Sequence, residues 1–198
     1  MNLSPKFDDA LQYALLIHAG QKRKGTDIPY LAHLLGVASI ALEYGADEDE
    51  AIAALLHDAG EDAGGHGRIE DIRVRFGTSV ADIVQSCTDS EVLPKPDWKK
   101  RKEDYIAHVA KASPSARFVS ASDKLHNARA ILRDYRAQGD ALWSRFNGKK
   151  EGTLWYYRSL VEAFKKANSG EPVKKVGLAD LVAELNRVVE EIESLATS

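Results

Sequence analysis

The spacing of apolar residues constrains the fold of this chain more than any other sequence feature. Through most of the sequence, apolar side chains recur every three or four residues, and no segment sustains the alternation that is typical of a half-buried β-strand. Alanine, the residue that most favours helices, occurs 27 times. The pattern predicts an all-α protein, a bundle of about nine to ten helices.

The length of the chain, 198 residues, is typical of a single domain. One candidate boundary stands out, the Ser-Gly-Glu-Pro sequence that begins at Ser169. We therefore expect a main domain over residues 1–168 and a C-terminal amphipathic helix within residues 169–198. Two interpretations of that helix stay open: it packs on the body of the domain, or it forms the seam of a homodimer.

Charge and cysteine content exclude several classes of protein. The formal net charge is −3 and the isoelectric point is near 6.1, so no overall basic field favours nucleic acid. Cys87 is the single cysteine, which excludes an internal disulfide and a cysteine-based zinc cluster. No apolar run reaches the roughly 20 residues that span a bilayer, and the N-terminus lacks a signal pattern. We expect a cytoplasmic protein without a membrane or nucleic-acid partner.

The segment from His57 to Asp62 concentrates groups that could bind a metal. Its sequence is His-Asp-Ala-Gly-Glu-Asp. On a continuous helix, at about 100° per residue, the side chains of His57, Asp58 and Glu61 would share one face with that of Asp62. Carboxylates crowded on one face repel each other, and a cation among them relieves the repulsion. The alternative interpretation is a solvated acidic helix end with a chance histidine.

Two other segments supply further candidate ligands. His33 stands among apolar residues near a predicted helix start, where a histidine is usually a core residue. Asp123 and Asn127 are four residues apart in an otherwise apolar helix, so they share one face. An aspartate in such a stripe needs a partner, because burying an unpaired charge is costly. A metal is one possible partner, and Lys124 or an arginine is the other.

The order of these residues resembles that of the HD metal-dependent phosphohydrolases. A longer set of motifs is similar to the hydrolase domain of the Rel/SpoT alarmone enzymes and to the stand-alone small alarmone hydrolases. The motifs are Arg-Lys-Gly from Arg23, Pro-Tyr-Leu-Ala-His up to His33, His-Asp at His57, Glu-Asp at Glu61, and Ser-Asp-Lys-Leu-His-Asn up to Asn127.

This resemblance implies an all-α bundle that holds one divalent metal, usually manganese. The ligands that it implies are His33, His57, Asp58 and Asp123. The activity that it implies is removal of the 3′-pyrophosphate from guanosine tetra- or pentaphosphate, (p)ppGpp, a small nucleotide substrate.

Further roles also follow from the resemblance. Glu61 and Asp62 would act as the catalytic pair that handles the attacking water. Arg23, Lys24 and Asn127 would line the nucleotide pocket, with the arginine against the base.

Departures from the familiar pattern border the nucleotide pocket and leave base preference open. Ala59-Gly60 stands where bulkier apolar residues are common, and the Arg23 loop carries the additional residues Thr26-Asp27. The alternative functions are hydrolysis of adenosine alarmones such as ppApp, removal of the 2′-phosphate of NADPH, and nucleotide sensing without catalysis.

Two weaker features complete the candidates. A second metal would require His66 and His108, whose spacing does not resemble that of the two-metal HD phosphodiesterases. The basic residues from Lys95 to Lys102 could attract a polyphosphate, although a solvated helix start is the simpler interpretation.

Overall fold

The structure is a computed structural model that describes residues 2–62, 65–88, 97–170 and 175–197; of residues 61, 62, 65 and 66 only the backbone is described. This part of the chain folds into ten α-helices and one 3₁₀ helix, with a single isolated antiparallel bridge and no strand, so the all-α prediction is confirmed. The helices are α1 (Pro5–Ile17), α2 (Leu31–Glu43), α3 (Glu48–Leu56), α4 (Ala59–Asp62), α5 (Gly65–Phe76), α6 (Thr78–Cys87), α7 (Trp98–Val109), α8 (Pro114–Gln138), the 3₁₀ helix Gly139–Arg145, α9 (Lys149–Ser169) and α10 (Leu178–Thr197).

Local sequence signals set several helix starts. The Ser113 side chain caps α8, and Pro114 occupies its first turn, where a missing backbone N–H costs nothing. Asp47 and Glu50 form a reciprocal capping box at the start of α3. The Ser4 side chain accepts a hydrogen bond from the backbone of α1, which fixes the first turn of the chain.

Helix α8 forms the centre of the bundle. It packs against α2, α3, α6, α9 and α10, and α2 also packs against α3. The side chains of Phe118, Val119, Leu125 and Ala128 on α8 are fully buried in the common core. This packing brings α2, the C-terminal end of α3 and the middle of α8 to one place. No helix in the described ranges has the length and apolarity needed to cross a bilayer.

A continuous helix through His57 and Asp62 is not what forms. Helix α3 ends at Leu56, His57 and Asp58 lie in a turn, and α4 is a separate short helix. The carbonyl of Ala54 accepts a hydrogen bond from Nδ1 of His57 at 2.8 Å. This hydrogen bond at the C-terminal end of α3 fixes the orientation of the His57 ring.

Helix α10 lies along α8 and α9, with its apolar face buried against them. Gly177 precedes it with φ +77°, and a Cβ atom there would lie 1.8 Å from the carbonyl oxygen of Tyr44. Charged residues flank the contact, and Arg129 pairs with Glu184 at 3.0 Å. The apolar stripe that the sequence shows is therefore covered within the chain itself, and a homodimer stays a prediction.

Candidate active site

Two histidines and two aspartates from three parts of the chain meet at one point. His33 lies on α2, His57 and Asp58 in the turn after α3, and Asp123 on α8. Potential ligand atoms of His33, His57 and Asp58 lie within 4.8 Å of one another. Oδ1 of Asp123 is 3.2 Å from Nε2 of His33 and 3.6 Å from Nε2 of His57. The four side chains that the resemblance names as ligands therefore lie together.

The His57 ring indicates what this cluster could hold. The ring is almost completely buried, and its Nδ1 atom donates to the carbonyl of Ala54. Its Nε2 atom has no hydrogen-bond partner among the described residues, yet it is 3.0 Å from Oδ2 of Asp58. Since Nδ1 is the donor, Nε2 of a neutral ring would keep its lone pair for a metal, as in many metal sites where a backbone carbonyl orients the imidazole. Two imidazoles beside two carboxylates fit a divalent metal.

The electrostatics of the cluster also require positive charge. Burial raises the pKa of Asp58, but the adjacent His57 outweighs it and holds that pKa well below the usual value. Burial acts in the same way on Asp123, where Lys124 has the larger opposing effect and the pKa is again well below the usual value. Burial lowers the pKa of His57, but Asp58 and Asp123 raise it well above its usual value. A divalent metal bound here would supply that positive charge in place of a proton.

Neighbouring side chains hold the carboxylates in place. The Tyr30 hydroxyl donates to Oδ2 of Asp58 at 2.5 Å. The Asn127 amide donates to Oδ1 of Asp123 at 2.5 Å. The other carboxylate oxygen of Asp123, Oδ2, is 2.5 Å from Nζ of Lys124. Sequence reasoning gave no site role to Tyr30, although it stands inside the motif that ends at His33.

A further histidine contacts the cluster from α8. Nδ1 of His126 is 2.9 Å from Nδ1 of His33. Burial lowers the pKa of His126 to about 4, and the nearby positive charge of Arg23 acts in the same direction. His126 is therefore a neutral ring on the outer side of His33.

A cavity of about 350 Å³ opens beside the cluster. Arg23, Lys24 and Asn127, the three predicted nucleotide contacts, all line it. A smaller adjoining cavity of about 170 Å³ is lined by Arg23 and Asn127 together with His33, Asp58 and Asp123. Other basic side chains lining the larger cavity are Lys102, Lys124, Arg133 and Arg145.

The loop that carries Arg23 is shaped by a short hairpin-like turn. The backbone N–H of Arg23 donates to the carbonyl of Ile28 at 2.9 Å, and Gly25 makes the turn with φ +73°. One guanidinium nitrogen of Arg23 donates to Oδ1 of Asn127 at 2.7 Å. A Cβ atom at position 25 would lie 3.2 Å from Cδ of Arg145, so the loop packs closely against that side chain. A hydrogen-bonded path thus joins Arg23 to Asn127 and, through the amide, to Asp123.

Other predicted residues fall outside this geometry. The backbone of Glu61 and Asp62 forms part of α4, but their side chains, like that of His66, lie outside the described residues. His108 instead lies 2.8 Å from the hydroxyl of Ser86.

The basic Lys95–Lys102 segment divides into different environments. Lys95 lies outside the described residues, whereas Lys102 lines the larger cavity. The ammonium group of Lys99 lies over the ring of Trp155, and that of Lys100 pairs with Asp104 at 2.6 Å. Among the lysines of this segment that the structure describes, only Lys102 lines the larger cavity.

Fold and site together define the class of protein. A helical bundle that gathers two histidines and two aspartates, including a His-Asp pair, has the character of an HD domain. The chain belongs to the HD domain family, whose sequence profile matches residues 10–154.

Similar proteins narrow this class further. The chain is 35% identical over 174 residues to guanosine-3′,5′-bis(diphosphate) 3′-pyrophosphohydrolase MESH1 of Drosophila melanogaster, which covers 86% of this chain and 91% of that protein. It is 38% identical over 128 residues to the Xenopus tropicalis protein of the same name, covering 63% of this chain and 69% of the relative. The resemblance inferred from the motifs is confirmed by these matches.

Solved structures agree with the sequence relatives. One, described as a metazoan ortholog of SpoT that hydrolyzes ppGpp, matches with a TM-score of 0.75 and 28% identity over 96% of this chain and 97% of the other. The protein lmo0812 from Listeria monocytogenes EGD-e matches with a TM-score of 0.68 and 29% identity over 80% of this chain and 96% of the other. The HD-domain bundle expected from the sequence is the observed fold.

Proposed function

We propose that this protein is a divalent-metal-dependent hydrolase that removes the 3′-pyrophosphate from (p)ppGpp. The observation that carries the proposal is the junction of two features: the His33, His57, Asp58 and Asp123 cluster adjoins a cavity lined with basic side chains. The names of the Drosophila and Xenopus relatives and the description of the SpoT ortholog support the same substrate.

The cavity suits a polyphosphorylated nucleotide in size and charge. Its volume of about 350 Å³ is in the range of small-ligand sites. Arg23 presents a planar guanidinium that can stack on a purine, and Lys24 supplies a point charge for phosphate. We propose that Arg23 contacts the base and that Asn127, already bonded to Arg23, orients it relative to the cluster.

The residues of the cluster would hold one metal ion. When bound, the metal would lower the pKa of a water molecule and neutralise phosphate oxygens. The resemblance to the Rel/SpoT hydrolases leads us to propose Mn²⁺, and the two carboxylates supply oxygen ligands of the kind that Mn²⁺ accepts. We propose Glu61 and Asp62, on α4 directly after the His-Asp turn, as the groups that accept the proton of the attacking water. Cytoplasmic location and homodimer formation stay predictions.

The direct test is to incubate the purified protein with Mn²⁺ and ppGpp and to follow the nucleotides by anion-exchange chromatography. We expect ppGpp to be converted to GDP, and both chelator and Asp58→Asn to abolish the conversion. Asp82→Asn is the matched control, because Asp82 pairs with Arg73 on the exposed surface. Parallel reactions with ppApp and NADPH test the alternative substrates. Consumption of either one in place of ppGpp would contradict the proposal.

A further inference from the structure

His126 occupies a place where it can control the proton on His33. The side chain of His33 is 1% exposed, and its Nδ1 atom lies 2.9 Å from Nδ1 of His126. Two uncharged imidazoles at this distance share one proton, so one nitrogen donates and the other accepts. The opposite nitrogen of His33, Nε2, lies 3.4 Å from Asp58 and 3.2 Å from Asp123.

The direction of this hydrogen bond decides whether His33 can ligate a cation. If His126 donated, the proton of a neutral His33 would lie on Nε2, pointing at the carboxylates and occupying the ligand position. If His33 donates, Nε2 keeps its lone pair for the cation. We propose that His126 is a positioning residue whose Nδ1 atom accepts a hydrogen bond from Nδ1–H of His33. This hydrogen bond holds His33 in the tautomer that can ligate a metal through Nε2. The inference rests on the metal site of the proposed function.

The backbone of α2 provides a space for the His126 ring. A Cβ atom at Gly36 would lie 2.3 Å from both Cδ2 and Nε2 of His126, so a larger residue at position 36 would displace the ring. Gly36 is three residues after His33 on α2, and His126 is three residues after Asp123 on α8. The close approach of α2 and α8 thus places the His126 ring beside the His33 ring.

The two histidine ligands would then be oriented by different means. The carbonyl of Ala54 accepts a hydrogen bond from Nδ1 of His57. His33, near the beginning of α2, has no such carbonyl in this role among the described residues. Its acceptor would be the imidazole of His126 on α8. The outer partner of a histidine ligand fixes its tautomer, and its loss typically costs about 10–100-fold in metal affinity.

Paired substitutions test this inference. His126→Leu removes the acceptor, whereas His126→Asn can return an acceptor oxygen near the position of Nδ1. We expect His126→Leu to weaken Mn²⁺ binding about 10–100-fold in a chelator-competition titration, and His126→Asn to recover most of the loss. In ¹⁵N-edited NMR of Zn²⁺-loaded protein, the Nδ1 proton of His33 should exchange slowly in the wild type and the Asn variant. It should exchange fast in the Leu variant. His108→Leu, at an exposed position, controls for loss of a histidine.

The outcomes separate this inference from the proposed function. Wild-type metal affinity in His126→Leu, or equal losses in the Leu and Asn variants, would overturn the role of His126. If the Leu variant does not fold, His126→Gln replaces it. The oxygen of the Gln side chain would lie near the position of Nε2 of His126 and not near that of Nδ1, so the same contrast with the Asn variant is expected. A wild type that binds metal but leaves ppGpp intact would refute the proposed function while the His126 contrast stood. A wild type that binds no divalent metal would refute both.

Discussion

Lys124 offers a stringent test of the charge balance in the site. Its ammonium group is 2.5 Å from Asp123, the two side chains are 15% and 8% exposed, and the ammonium lies 4.9 Å from the centre of the Tyr105 ring. Lys124→Met keeps the aliphatic length and removes the charge. Asp123 then keeps the amide of Asn127 and the nearby histidines, but it loses its closest cation.

The size of the effect follows from this burial. Breaking a buried ion pair by removing one partner costs about 3–5 kcal/mol, and the remaining contacts of Asp123 place the value near the lower end, about 3 kcal/mol. For a domain of this size, each kcal/mol shifts the melting temperature by about 2–4 °C, so the metal-free Lys124→Met protein should melt about 6–12 °C lower. Saturating Mn²⁺ should recover part of the loss, because the metal replaces the missing positive charge beside Asp123.

Differential scanning calorimetry with chelator and with Mn²⁺ measures both effects. The matched control is Lys100→Met: Lys100 is 2.6 Å from Asp104, but the pair is exposed, so no measurable shift is expected. Equal shifts for the two variants would refute the argument from burial. A Lys124→Met protein that Mn²⁺ does not stabilise more than the wild type would refute the link between this charge and the metal.

Three further predictions concern a metal ligand, the catalytic general base and the stability of the fold. Asp123→Ala should lose bound Mn²⁺ and turnover together; metal content after desalting checks this, and retained metal would exclude Asp123 as a ligand. Glu61→Gln should keep the metal but lower the rate about 10²–10⁴-fold, whereas parallel loss of metal would make Glu61 a ligand. Gly177→Ala should destabilise the protein by about 1–3 kcal/mol or more, because its Cβ would overlap the Tyr44 carbonyl at φ +77°. Calorimetry measures this against Gly170→Ala, whose Cβ would meet no atom closer than 3.8 Å, and equal shifts would contradict it.

Much of the fold follows from patterns that are local in sequence. The start of α8 at Pro114 is predicted by the Ser-Pro signal, and the apolar stripe from Leu178 predicts α10. The break at His57 was not predictable from periodicity, because the polar residues from His57 to Asp62 also fit one face of a continuous helix. The 3₁₀ helix that ends at Arg145 also lacks a distinct sequence pattern.

The candidate site likewise combines residues that the sequence identifies with contacts that only the folded structure reveals. Short motifs, interpreted by family resemblance, identify His33, His57, Asp58 and Asp123, and the fold brings them together. The contacts of Tyr30 with Asp58 depend on how α2 packs against α3. Because such partners come from helix packing, sequence spacing alone gives them no role.

The position of bond cleavage distinguishes a 3′-pyrophosphohydrolase from a general phosphatase. We expect the metal held by His33, His57, Asp58 and Asp123 to meet the phosphate nearest the 3′ oxygen. Basic side chains of the adjoining cavity, such as that of Lys24, should hold the 5′ phosphates. Phosphorus NMR of the protein with Mn²⁺ and ppGpp should therefore show pyrophosphate released in one step, with the 5′ diphosphate of GDP intact. Orthophosphate appearing before pyrophosphate, or loss of the 5′ phosphates, would show that the substrate is bound differently and that the protein is a general phosphatase.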